Sequence, residues 1–277
     1  MIVAACIISL VYYCLSVLVR GSILSPDGTA YYNIRTAPLP YKARMLAYVV
    51  TGENAWRFVH CLSFALASTA LFSAFGLSAM LLWMVLPSVR TSLAWPVLLD
   101  LPMQATSFAS VAFVLAGWEY VGLALLALSV LVHERTPIYT ALMLWFFTGS
   151  ILPLAIGACA FALWFTLVYQ WMPKQQTGID YLDRPLKTSM QHHLPTLLNA
   201  SVWLLPWGAC LFAIAAADWR LATYAVASYA SCMMAMDRVK IYQAFPLPFI
   251  VAALSVIPQA FIPLAIIGTF SFNTREI

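Results

Sequence analysis

The sequence predicts an all-α, polytopic transmembrane bundle, and three observations carry that prediction. First, 63% of the 277 side chains are hydrophobic and only 9% are charged, against about 25% charged in an average soluble domain. A water-soluble protein of this size would lack the polar surface to cover itself. Second, runs such as Val3–Val19 and Ala109–Val132 are continuously apolar. A membrane barrel would instead alternate apolar and polar residues over segments of about ten. In lipid the backbone must satisfy its own hydrogen bonds, so these runs read as helices. Third, the charged residues collect at the ends of the runs and not within them.

Taken in order, Ile2–Val19 is the first expected span. It has neither a basic leader nor a small-x-small site before Arg20, so it reads as a retained helix and not as a signal peptide. A long polar loop, residues 20–55, follows. It carries Asp27, Arg35, Lys42, Arg44 and Glu53 among Pro26, Pro38 and Pro40, and loops of such length are commonly functional. Tyr41–Val50 within it is a candidate interfacial helix. Trp56–Phe75 is the second span, and Gly76 permits a tight turn into a short third, Leu77–Leu86, ended by Pro87. Residues 90–96 are expected to form a loop.

Asp100 opens a fourth span to Ala116. A turn at Gly117–Tyr120 leads to the fifth, Val121–Val132. His133-Glu134-Arg135 breaks the apolar sequence, and Pro137 suits the first turn of the next helix. Ile138–Tyr169 is too long for one span and divides near Gly149-Ser150, with Pro153 opening the second part. A second polar loop covers residues 170–194. Leu194–Ala217 and Leu221–Met236 are spans separated by the turn Asp218-Trp219-Arg220. The last two, punctuated by Pro246, Pro248, Pro258 and Pro263, end near Phe270. The total is about ten spans, within a range of about eight to eleven for segments near 20 residues. The whole chain, 1–277, is expected to be a single transmembrane domain with no soluble domain and no internal repeat.

Placing span ends alternately on two sides gathers every Lys and Arg except Arg220 on one face, and every acid except Glu119 and Asp218. That face is a candidate polar work surface. Acids bordering spans, such as Asp100, Glu134 and Asp237, are costly in a membrane and usually purposeful. The bases comprise ten Arg and four Lys. The bidentate guanidinium suits a phosphate-bearing partner, with compositional bias the plain alternative. No basic cluster suggests nucleic acid. All six Cys residues lie in apolar runs without a CxxC and read as small apolar fillers. His192 and His193, near Asp180 and Asp183, lack a metal-site spacing, so no metal centre is expected there. The Trp residues read as interface belts, and Asn199-Ala200-Ser201 lies in an apolar run where a glycosylation signal has no meaning.

Four short constellations carry chemistry. Ser25-Pro26-Asp27-Gly28 sets a carboxylate a few residues after the first span. It can act as a general base or simply form an Asp–Gly turn; Tyr31 and Tyr32 follow it. Pro40-Tyr41-Lys42-Ala43-Arg44 borders an apolar run, where Lys42 and Arg44 suit a phosphate or simply snorkel. His133-Glu134-Arg135-Thr136-Pro137 joins an acid and a base at a span end, where Arg135 can face an anion or mark a helix boundary. Asp237-Arg238-Val239-Lys240, leading to Ala244-Phe245-Pro246, repeats that pattern before a proline-bearing helix, with a solvated loop as its plain reading.

Together these resemble the GT-C class of integral membrane glycosyltransferases, in particular compact bacterial mannosyltransferase-like members. Such proteins carry an acid after the first span, then a Tyr-rich segment, then Pro-x-x-x-Arg-x-Leu, matched by Pro40 to Leu46. An Asp-bearing helix start corresponds to Asp100-Leu101-Pro102, and a basic-Glu-Thr motif at a helix end to His133–Thr136. There the basic residue of this chain follows the acid. A late Asp-Arg motif before Ala-Phe-Pro corresponds to Asp237-Arg238 and Ala244–Pro246. The larger relatives carry a soluble C-terminal domain, and no counterpart to it is expected here.

The resemblance implies transfer, with inversion, of a sugar from a polyprenyl-phosphate carrier to a hydroxyl of a glycan, lipid or protein acceptor. Asp27 would be the general base. Lys42, Arg44, Arg135, Arg238 and Lys240 would hold the lipid phosphate, and Tyr31 and Tyr32 would stack on sugar. Some relatives use a divalent metal; Asp27, Asp100, Asp237 and Glu134 are its candidate ligands only if they converge. The resemblance also implies a bacterial-type inner or plasma membrane with the charged face extracytoplasmic. The positive-inside rule assigns the same face to the cytoplasm. The expectation here is extracytoplasmic, because bases recruited to a lipid phosphate do not report topology. Two further readings use the same surface: a transporter or flippase of a lipid-linked sugar, and a non-catalytic scaffold with a degenerate enzyme fold.

Overall fold

The computed structural model describes residues 2–20, 33, 46–94, 99–171, 191, 205–232 and 246–271. Every regular element among them is helical, as the uninterrupted apolar runs require. In order these are α1 (Ile2–Arg20), α2 (Leu46–Val49), α3 (Glu53–Met84), α4 (Pro87–Ala94), α5 (Asp100–Leu115) and α6 (Glu119–Leu128) with a 3-10 turn at Ser129–Leu131. Then come α7 (Thr136–Thr148), α8 (Leu152–Trp171), a 3-10 segment at Leu205–Ala216, α9 (Trp219–Cys232), α10 (Leu247–Val256), a 3-10 turn at Gln259–Phe261 and α11 (Ile262–Ser271).

Glycine and proline punctuate the chain as their backbone preferences dictate. Gly76 interrupts α3 with φ 82° and ψ −177°, Gly117 turns α5 into α6 at φ 85°, and Gly149 ends α7 at φ 71° with its N–H on the Trp145 carbonyl at 2.8 Å. Left-handed φ costs glycine nothing and other residues about 1 kcal/mol or more. Pro137 sits in the first turn of α7, where its missing N–H has no helical partner to lose.

Two expectations are corrected. Residues 90–96 are not simply a loop, because Pro87 starts a helix that continues to Ala94; proline that ends one helix also fits the first turn of the next. The described part of the expected span Leu194–Ala217 is not an α-helix but a 3-10 segment broken at Gly208, with φ 51° and ψ −127°. Among the described residues one helical run, Glu53–Met84, is by length and composition long and apolar enough to cross a membrane; Ile2–Val17, Glu119–Leu131, Leu152–Val168, Trp207–Ala216, Leu247–Val256 and Gln259–Ser271 are shorter apolar helices.

The chain divides into two compact units: residues 1–74 with 92–175, and residues 75–91 with 176–277. In the first, α5 and α6 form an antiparallel hairpin closed by a glycine. A Cβ on Gly122 would lie 2.4 Å from Val114 Cγ2 and 2.7 Å from the Ser110 carbonyl oxygen, so the helices touch backbone to backbone. α7 and α8 repeat the device: a Cβ on Gly157 would lie 2.6 Å from Ala141 Cβ and 2.7 Å from the Pro137 oxygen. Small residues that admit such approach are the usual contacts between apolar helices in lipid. In the second unit the 3-10 segment packs on α10 and α11. Trp207 packs on Phe249 with centroids 4.4 Å apart and the rings tilted by 50°, and Tyr224 meets the same ring edge-on at 5.8 Å.

The outward side chains are apolar too. Ile2, Val3, Ile7, Val11 and Leu15 of α1, Phe58, Leu62 and Leu66 of α3, Leu163 and Phe165 of α8, and Leu264, Ile267 and Phe270 of α11 are all exposed. Exposed apolar side chains in such number, in each unit taken by itself, mark surfaces that meet something other than water.

Candidate functional site

Of the residues singled out by sequence, Asp100, Glu134 and Arg135 are described, and all three fall in the first unit. Asp27, Tyr31, Tyr32, Lys42, Arg44, Asp237, Arg238 and Lys240 lie outside the described residues, as do Asp180, Asp183, His192, His193 and Asn199. Asp100 opens α5, where an acid complements the unpaired N–H groups of a first turn. One of its carboxylate oxygens is buried. Glu134 and Arg135 occupy the turn before α7. Glu134 Oε2 lies 3.2 Å from His133 Nδ1, with both side chains largely covered. The Arg135 N–H donates to the same Nδ1 at 3.2 Å. The Glu134 carboxylate and the Arg135 backbone N–H therefore meet at the His133 ring, the first residue of the same motif.

Above these residues a buried polar seam joins α5 to α7. Gln104, Ser107 and Ser110 follow Asp100 at helical spacing, and Thr136 and Thr140 do the same on α7. All five are buried. The Ser107 and Thr140 hydroxyls meet at 2.6 Å. Thr140 donates to the Thr136 carbonyl at 2.8 Å, and Ser110 donates across to the Gly122 carbonyl at 2.7 Å. The Thr136 hydroxyl is buried without a hydrogen-bond partner among the described residues. The polar stripe Asp100-Gln104-Ser107-Ser110 is visible at i, i+4, i+7 and i+10, and that spacing is the signal that could have found it.

A second polar pair was missed altogether. In the first unit, Tyr13 of α1 meets His60 of α3, with the phenol oxygen 3.2 Å from Nδ1 and 3.4 Å from the Arg57 carbonyl oxygen, to which it donates. Both side chains are buried, at 7% and 1% exposure. One turn nearer the start of α3, Arg57 donates to Glu53 through Nε at 3.1 Å and through a terminal nitrogen at 2.5 Å. Further along, Cys6 Sγ contacts Thr69 Oγ1 at 3.2 Å. Pairing 13 with 60 and 6 with 69 makes α1 and α3 antiparallel, so Tyr13 and His60 lie toward the end of the pair that carries Arg20 and Glu53. A lone histidine in an apolar span was the available signal.

A further charged pair among the described residues belongs to the second unit. Asp218 caps α9: the Arg220 N–H donates to Asp218 Oδ1 at 2.8 Å, and the guanidinium approaches Oδ2 at 3.3 Å. The backbone N–H of Arg220 is the main cause, and its side chain a further one, that holds the Asp218 carboxyl below the usual range. Also in this unit, Arg90 is a helical residue. It donates to the Phe270 carbonyl at 2.6 Å and lies 4.6 Å over the Phe270 ring. It thus answers the negative end of α11.

Among the described residues no three His, Cys, Asp or Glu side chains converge as a metal site would require. Asp100 and Glu134 therefore find no third described ligand, and the other two candidate ligands, Asp27 and Asp237, lie outside. No protein-family model, no curated protein and no solved structure matches the chain.

Proposed function

We propose that this chain is an integral membrane protein of about ten spans, some short and buried among their neighbours. In this reading it transfers a sugar from a polyprenyl-phosphate donor to an acceptor hydroxyl. The observation that carries the reading is the order of the short motifs along the chain: Asp27, Tyr31-Tyr32, Lys42-x-Arg44, Asp100, Glu134-Arg135 and Asp237-Arg238-x-Lys240, all at span ends assigned to one face. The apolar exterior of α1, α3, α8 and α11 supports residence in lipid.

The chemistry is an inverting displacement. The acceptor oxygen attacks the anomeric carbon, its proton passes to the Asp27 carboxylate, and the bond from that carbon to the phosphate oxygen breaks. The polyprenyl phosphate leaves with the negative charge. Lys42, Arg44, Arg135, Arg238 and Lys240 stabilise that charge as it develops. Base assistance contributes about 10²–10⁴-fold, and charge stabilisation in a water-poor site is commonly the larger effect.

The test is direct. Protein purified into lipid discs is given a polyprenyl-phosphate sugar and an acceptor, and transfer is measured. Asp27→Asn is expected to abolish it; a fully active variant removes the proposed base. The charged face is assigned to the extracytoplasmic side, and single cysteines at Ser25 and Ser189 test it. Labelling of both only after permeabilisation reverses the orientation.

A second reading is favoured by the helix breaks at Gly76 and Gly208, since transporters build substrate sites from interrupted helices. Movement of intact lipid-linked sugar across vesicles, with no transfer, would select it.

A further inference from the structure

Cysteine in an apolar helix usually fills a small buried gap, and Cys210 is such a case, enclosed in its unit. Cys14 of α1 and Cys61 of α3 are not. Cys14 is exposed and Cys61 half-buried. Both lie among outward apolar side chains, Val11 and Leu15 on one helix and Phe58 and Leu62 on the other. Helix register brings them together. Cys6 Sγ meets Thr69 Oγ1 at 3.2 Å. Cys14 follows Cys6 by eight residues and Cys61 precedes Thr69 by eight, about two turns on each helix. In an antiparallel pair those equal steps set Cys14 opposite Cys61. Tyr13 and His60, each the residue before a cysteine, share that level and meet at 3.2 Å. The two thiols also lie within electrostatic reach of each other and of Tyr13. Helix axes packed about 8–10 Å apart, with Cα atoms about 2.3 Å from each axis, leave Cα atoms on matching flanks about 5–7 Å apart. A disulfide spans about 4.4–6.8 Å between Cα atoms.

We propose that Cys14 and Cys61 are a redox dithiol that closes into a disulfide between α1 and α3, with a lipid-soluble quinone as the oxidant. The depth of the pair selects that class of oxidant. Cys14 lies six residues from Arg20 and Cys61 eight from Glu53, about 9 and 12 Å inside the charged end of the pair at 1.5 Å per residue. In a hydrocarbon core about 30 Å thick, thiols at that depth face acyl chains and not water. The reaction balances without leaving charge in lipid. Two S–H bonds break and one S–S bond forms. The two electrons and two protons pass to the quinone, whose two carbonyl oxygens become hydroxyls. Neutral thiols and quinone become neutral disulfide and hydroquinone, so no ion is stranded where its burial is costly. The disulfide closes a covalent ring through residues 14–61, the segment that holds Asp27, Tyr31, Tyr32, Lys42 and Arg44. The inference rests on the reading of α1 and α3 as membrane helices, not on sugar transfer.

The experiment uses the whole protein, fully reduced, in lipid discs that carry an isoprenoid quinone. The quinone ring is fully substituted, so that a thiol cannot add to it. Remaining thiols are then alkylated in denaturant and the peptides are mapped. One Cys14–Cys61 disulfide per chain is expected, with one hydroquinone formed, while Cys6 and Cys159 are alkylated. Ferricyanide, confined to water, should form the bond at least about tenfold more slowly, since thiol oxidation follows access. Cys14→Ser should leave Cys61 open to alkylation, and Cys61→Ser should do the same for Cys14. Thiols that stay unpaired under quinone, a Cys14–Cys14 link between chains, or equal rates with ferricyanide overturn the proposal. The peptide map needs no variant, so it stands even where a serine variant does not fold. Protein recovered outside the lipid would remove the membrane reading and this proposal with it, whereas unpaired thiols inside the discs remove this proposal alone. None of these readouts depends on glycosyl transfer.

Discussion

The two compact units use polar groups in opposite ways. In the first, side-chain polar groups face each other across helix pairs: Tyr13 to His60, Cys6 to Thr69, Ser107 to Thr140. In the second, aromatic rings meet across elements, Trp207 and Tyr224 on Phe249, and Arg90 reaches the backbone carbonyl of Phe270. There a polar side chain repairs backbone. Gly208 breaks the 3-10 segment, and the Ala209 N–H that this leaves is taken up by Thr269 Oγ1 at 3.0 Å. A Cβ on Gly208 would sit 2.7 Å from that same oxygen, so the break and its repair are one feature. The contrast teaches that a buried hydroxyl is not by itself a site. Thr269 closes an open hydrogen bond, whereas the paired groups of the first unit join elements whose backbones are already satisfied.

The contrast can be broken experimentally, beginning with the largest effect. Trp207→Ala removes the buried indole packed on Phe249 and should destabilise by about 3–5 kcal/mol. Residue-resolved alkylation should show Cys210, buried in that unit, becoming reactive while Cys6 does not. Equal gains at both cysteines would mean that the units do not open separately. Gly157→Leu drives a side chain into Ala141 and the Pro137 carbonyl, where overpacking costs about 1–3 kcal/mol. The thermal midpoint in detergent should fall, and an unchanged midpoint would deny the backbone contact between α7 and α8.

Ser107→Ala tests the seam. Hydrogen bonds between apolar helices contribute about 0.6 kcal/mol on average and up to about 1.7. The loss should be of that size, and the double variant with Thr140→Val should cost less than the sum of the two single changes. Strict additivity would show that the two hydroxyls do not interact. The smallest effect belongs to Asp218. Its folded carboxyl is held below the ordinary value of about 3.9. The charge-dependent stability is therefore complete above that value and is lost as pH falls through the lower, folded one. Asp218→Ala should cost about 0.5 kcal/mol, the low end for an exposed cap, in melts near neutral pH. The difference should narrow below about pH 3; a gap unchanged across that range would remove the ionised cap.

Much of the fold was legible before any coordinates. Gly117, Gly149, Pro137 and Pro153 each appear where a helix turns or starts, because φ preference and a missing N–H are properties of one residue. The expected loop at residues 90–96 failed for a related reason: proline signals both the end of one helix and the start of another, and local chemistry does not choose. The candidate site was less legible. His133, Glu134 and Arg135 were found together as a charged interruption, but the contacts that His133 makes with the other two were not readable from their order. The polar stripe on α5 was spaced for recognition and passed over, since serine and glutamine in an apolar run look like dilution.

The amino-acid sequence by itself determined the helical class, the apolar exterior and the places where the chain turns. These follow from composition and from short-range backbone sterics. Only the tertiary structure decided that Tyr13 meets His60 across 47 positions, that Ser107 meets Thr140, and that Gly122 and Gly157 are contact points and not breaks. It also decided that residues 205–216 wind as a 3-10 segment against Thr269. Each of these depends on which face of one helix is turned toward another. That choice is made by packing between distant segments, where the spacing of residues along the chain carries no information about the partner.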